Sequence, residues 1–179
     1  MDLKDYSVLE YSQMKDVYLI DSLFKHLKPC NKFKDKEIDI MQLPYSTIKY
    51  IQKIFTKNNL TFDDICEIFI TLYEIKKDDF YNAGVVEFYQ CNAYIKQQFE
   101  LIAKNENILN QSANFDLGKW KASGGERLNA FDLVGLQSIA ERYGIYIFDL
   151  ANKPYSEIFY LQSMLKVYDE VNFNYNKND

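Results

Sequence analysis

The chain has 179 residues, 47% hydrophobic and 16% aromatic. At this size folding buries roughly 70% of the surface the unfolded chain exposes, so disorder throughout is excluded. Its 26 acids against 21 bases give a net charge of −5, so no global field favours nucleic acid or an anionic membrane.

No apolar run approaches the roughly 18 residues that span a bilayer, and the opening MDLKDYSVLEY lacks the basic and apolar regions of a signal peptide. No membrane partner is therefore expected. Cys30, Cys66 and Cys91 stand at no zinc spacing and read as reduced packing residues, with no metal and no cofactor implied. The surplus of Lys, Asn, Ile, Tyr and Phe beside only 6 Gly and 3 Pro points to an AT-rich genome.

Residues 1–43 are the least regular part of the chain. A helix from about Met14 to Leu27 stops before Pro29, and the charged NKFKDKEIDI follows, so the segment reads as an arm or a loosely packed first layer. Pro44 then suits a helix start, with Ile48, Ile51 and Phe55 at helical spacing and Lys49, Lys53 and Lys57 on the opposite face. Thr61 is a good N-cap for the next helix, whose first turn holds Asp63 and Asp64 and whose buried stripe is Ile65, Ile68, Phe69, Leu72 and Ile75. Lys76 and Lys77 read as its cationic C-terminus.

Tyr81, Val85, Phe88, Asn92, Ile95, Phe99, Ile102, Glu106 and Leu109 then alternate spacings of four and three. Such a stripe predicts one helix of about 29 residues, or about 43 Å, part of which is expected to pack on another chain. Asn92 would fix register there, or, where the stripe is simply the central helix of a monomeric bundle, find a partner inside that bundle. After an unpatterned connection, Asn129 caps a helix carrying Leu133, Leu136, Ala140 and Tyr143 and ending at Gly144. Pro154 opens the last helix, with Tyr155, Ile158, Leu161, Leu165 and Tyr168 on one face. No internal repeat is visible. The expected fold is all-α: a helical bundle over 44–171 with one long central helix, between an irregular N-terminal segment at 1–43 and a frayed or extended tail at 172–179.

Motifs that carry chemistry are weak. The glycines of KWKASGGERLNAFD miss both the phosphate-loop and the dinucleotide spacing, and His26 is the only histidine. The adjacent acids Asp63 with Asp64 and Asp78 with Asp79 point roughly 100° apart on a helix, so capping explains them better than paired catalysis. No catalytic residue and no small-molecule substrate is assigned, and the chain reads as no enzyme. LQSIAERYGIYIFDL matches a helix-turn-helix mask, making residues 136–153 of a nucleic-acid-binding regulator the alternative, yet its second helix offers one base, Lys153, beside Asp149. A nucleic-acid partner is not expected.

The order of LPYSTIKYIQKIF, ELIAKNENIL, the tryptophan loop, GGERLNAFDLVGLQSIAERYGI and KPYSEIFYLQSML resembles small helical structural or assembly proteins of tailed bacteriophages, with crAss-like and similar AT-rich phages closest. It covers residues 40 to 170. The resemblance implies a virion part, a ring or adaptor at the portal–tail junction or a tail assembly factor, made in the host cytoplasm, forming homo-oligomers and contacting other virion proteins. Interface candidates are Asn92, Trp120, Gly124, Gly125, Arg127, Phe131, Phe173 and Tyr175.

Overall fold

A computed structural model describes residues 6–13, 26–110 and 136–177. Among these residues the chain runs through α1 (Val8–Ser12), β1 (Lys32–Phe33), β2 (Lys36–Glu37), a 3-10 turn (Ile40–Gln42), α2 (Tyr45–Phe55), α3 (Phe62–Tyr73), α4 (Lys77–Tyr81), α5 (Val85–Asn110), α6 (Gln137–Tyr143), α7 (Ile147–Ala151) and α8 (Tyr155–Lys177). The fold is all-α, and among the described residues the only sheet is the hairpin of two-residue strands β1 and β2. The expected helix over 14–27 and the Asn129 cap lie outside the described residues.

Contacts divide the chain into two compact units, 1–40 with 51–100 and 41–50 with 101–179. This division cuts through α2 and α5 and does not follow the boundaries expected at 43/44 and 171/172.

In the first unit, Thr61 caps α3 as its residue type requires: its hydroxyl accepts the Asp64 amide while the Asp64 carboxylate accepts the Thr61 amide, a reciprocal capping box. An aromatic core follows from the sequence's Phe content. Phe69 packs on Phe33, Phe80 and Phe88 with ring centroids 4.8, 5.2 and 5.3 Å apart, and Phe55 meets Phe99 at 5.1 Å. The described residues before α2 contribute to this core, with Val8, Tyr11, Phe33 and Ile40 all buried. Phe33 is an apolar side chain in a charged stretch, and the hairpin turns it inward, where the expectation was an arm or a loosely packed first layer.

In the second unit, Gly144 takes the left-handed conformation (φ 63°) that ends α6, as expected. Leu136, Ile139, Leu150, Ala151, Tyr155 and Ile158 are buried around it. α8 is helical to Lys177, so the tail placed at 172–179 is helix through most of its length.

The two units repeat one design, which corrects the expectation of no internal repeat. In each, a helix ends in a left-handed residue, Glu74 or Gly144, 70 positions apart; a five-residue helix follows; an Asn caps that helix, Asn82 or Asn152; and a long helix starts three residues later. A backbone bridge then ties that start to an earlier helix. Val8 and Val85 donate to the carbonyls of Ala83 and Tyr6, just as Tyr45 and Tyr155 donate to those of Lys153 and Leu43, all at 2.9 to 3.0 Å. Each bridge satisfies first-turn amides that would otherwise lack partners. The residues between these bonds, Ser7 with Gly84 and Pro44 with Pro154, need no amide of their own, which is why two prolines fit. Few side chains are shared between the repeats, so the duplication is legible in the backbone and hidden in the sequence.

The stripe expected as one helix is broken at Gly84, with Tyr81 on α4. Lys76 is the residue before α4 and not a C-terminal cation of α3. On α5, Val85, Phe88, Ile95, Phe99 and Ile102 are buried within the chain itself. From Val85 to Ile102 this stripe therefore belongs to the protein's own core, as the reading of it as a central bundle helix expects.

Candidate protein docking surface

α8 is 23 residues long, about 35 Å at 1.5 Å per residue. Its face with Tyr155 and Ile158 is buried, as the spacing predicts. A second apolar row was missed: Tyr160, Met164, Val167 and Val171 are spaced four, three and four, and are 63, 46, 59 and 60% exposed. That spacing forms one seam on a helix. With Tyr168 the row borders an apolar concavity of about 480 Å³. Beside it, a cleft of about 290 Å³ opens between α6 and α8, lined by Arg142, Tyr143, Met164, Leu165 and Tyr168. The Arg142 guanidinium lies 4.2 Å from the centre of the Tyr168 ring, a cation–π contact that leaves an apolar floor with a cationic edge.

A third cleft in this unit, of about 320 Å³, is polar and includes Tyr45, Lys49, Glu106, Ser138, Gln162 and Asp169. Lys49 Nζ and the Tyr155 hydroxyl both donate to Glu106 Oε1, at 2.9 and 3.0 Å. Burial first, and then the Glu106 charge, push the Tyr45 and Tyr155 hydroxyls above the ordinary phenol range, so both remain protonated donors. Glu106, which interrupts the apolar stripe of α5, thereby ties α2, α5 and α8 together in this unit. Its carboxylate is committed to structure. Among the described residues no group of His, Cys, Asp and Glu is placed to hold a metal ion, and no helix is long and apolar enough to cross a membrane.

The helix-turn-helix candidate at 136–153 has the expected helix and glycine turn, but α7 is only five residues long and exposes Tyr146 and Phe148, whose rings lie 5.3 Å apart. Both cations of the segment are engaged, Arg142 on Tyr168 and Lys153 on Glu157 at 2.8 Å. A reading helix needs free donors for phosphates and base edges.

The structure does not gather the other expected interface residues into one place. Asn92 is half-buried on α5, in the row that lines the first unit's core. Phe173 and Tyr175 are on the last turns of α8, where an extended strand was one expectation. Trp120, Gly124, Gly125, Arg127 and Phe131 lie outside the described residues. The exposed row of α8 was findable as a second four-three-four spacing on the same helix. The chain matches no family model, no curated protein and no solved structure.

Proposed function

We propose that the chain is a non-enzymatic structural or assembly protein of a tailed-bacteriophage virion, working through protein–protein contacts, with the open face of α6 and α8 as its main contact surface. The virion setting, at the portal–tail junction or in tail assembly, rests on the resemblance carried by residues 40 to 170. The contact role rests on one observation, the exposed row Tyr160, Met164, Val167 and Val171. Contiguous apolar surface on a water-facing helix marks an interaction site, and Tyr and Met are among the residues enriched where proteins meet. Partners are further copies of the chain and other virion proteins.

Size-exclusion chromatography with light scattering at micromolar concentration tests the reading. The expected result is a mass above the 21.2 kDa of one chain. A strict monomer that binds no virion component overturns it.

A further inference from the structure

We infer that the exposed row of α8 pairs with the same row of a second copy, the two helices running antiparallel about a two-fold axis between Met164 and Val167. This names one partner for the face already proposed as a contact surface, and rests on that proposal.

The row is apolar over a short, bounded length. Tyr160, Met164, Val167 and Val171 form the seam, Tyr168 and Tyr143 border it, and all six are 45 to 63% exposed. Continued at the same spacing, the next positions are Glu157 before the row and Asn174 after it. Glu157 is half-buried and accepts from Lys153 Nζ at 2.8 Å, and Asn174 is exposed. Polar residues thus close the seam at both ends, and its centre falls between Met164 and Val167.

The area fits a second copy. The six residues together expose roughly 650 Å², so two such faces covering each other bury about 1,300 Å², against the roughly 1,000 Å² that a specific interface needs. At this lower bound the pair is weak and its members exchange.

An antiparallel two-fold also makes the seam complementary to itself. Tyr160 lies opposite Val171 of the second copy and Met164 opposite Val167, so each layer joins a longer side chain to a shorter one. Sliding one helix by seven residues sets Asn174 against Met164, or Glu157 against Val167, and buries a polar group among apolar ones. One register therefore stands out. A parallel pair instead sets Tyr160 against Tyr160 and Val171 against Val171, overfilling one layer and underfilling another, with the two Glu170 carboxylates flanking the seam at one level. In the antiparallel pair each Glu170 lies beside Ser163, an uncharged side chain whose hydroxyl donates to the Phe159 carbonyl at 2.8 Å.

The test uses the full chain carrying Cys30→Ser, which leaves only Cys66 and Cys91, 2 and 0% exposed. Tyr160→Cys and Val171→Cys are made in separate chains of distinguishable mass, then treated with a small-molecule disulfide alone and as an equal mixture, well above micromolar concentration. Thiols at 160 and 171 face each other in the antiparallel pair, whereas the two at 160 stand about 16 Å apart along the helices. The mixture should form the mixed cross-linked dimer at least about tenfold faster than either variant cross-links to itself. Self-cross-linking of either variant as fast as the mixture, or no mixed product, would overturn the inference. Light scattering on the unaltered chain reads the assembly proposal separately: a mass above 21.2 kDa without the mixed product keeps that proposal and removes this pairing.

Discussion

Phe33→Ala is the sharpest perturbation of the first unit's aromatic core. The ring is fully buried, touches Phe69 edge-on at 4.8 Å and also packs on Tyr73 and Phe80. Transfer of a buried Phe side chain contributes about 3 kcal/mol, and the aromatic pairing about 1 kcal/mol more. A loss of about 4 kcal/mol, within the range found for Phe→Ala in cores, corresponds to a melting temperature lower by about 12 °C in a chain of this size. The comparison is Tyr143→Ala in the cleft between α6 and α8, where about half the side chain faces water and the expected loss is under about 1 kcal/mol. Thermal melts followed by circular dichroism measure both. A loss below about 1 kcal/mol for Phe33→Ala, or equal losses in the two variants, would refute the contrast between a buried core ring and a half-exposed one.

Two further outcomes follow from the polar contacts. The Asp64 carboxyl is held down to about 2, first by its hydrogen bond with Lys57 and then by Thr61. Because the folded value lies below the ordinary 3.8, its contribution is present above about pH 4 and is lost as pH falls toward 2. Asp64→Asn should therefore lower the melting temperature at pH 7 by an amount that shrinks on acidification, and a constant difference across pH 2 to 7 would contradict the assignment. Glu106→Ala leaves Lys49 and the Tyr155 hydroxyl without their shared acceptor. A cost of about 2 kcal/mol in urea unfolding is expected, with Glu106→Gln milder, and a neutral alanine variant would show that the contact is not structural.

Much of the architecture could be read from local chemistry. Thr61 with Asp64, Gly144 and the two prolines act within a few residues of themselves, so their caps and helix starts appear where the sequence places them. The burial of the hairpin is not legible locally because it rests on one inward residue, Phe33, among lysines and acids; only its packing on Phe69, Tyr73 and Phe80 reveals it. The α5 stripe was correctly seen as apolar, but periodicity does not say whether a seam faces its own chain or another. The repeat is hidden in the sequence because backbone devices carry it: a left-handed cap, an Asn turn and a two-bond bridge tolerate Glu or Gly, and Gly or Pro, at matching positions. The candidate surface was half legible, since the sequence displays both apolar rows of α8 and only the fold decides which one is covered.

The central claim, that the exposed row of α8 is where this protein meets others, is tested most directly by the mass of Val167→Glu beside that of the unaltered chain. Val167 is 59% exposed, so a carboxylate there should leave the melting temperature within about 2 °C while disrupting any contact that covers it. Light scattering on both proteins at the same micromolar concentration should give an assembly for the unaltered chain and 21.2 kDa for the variant. An identical mass for the two would contradict the account.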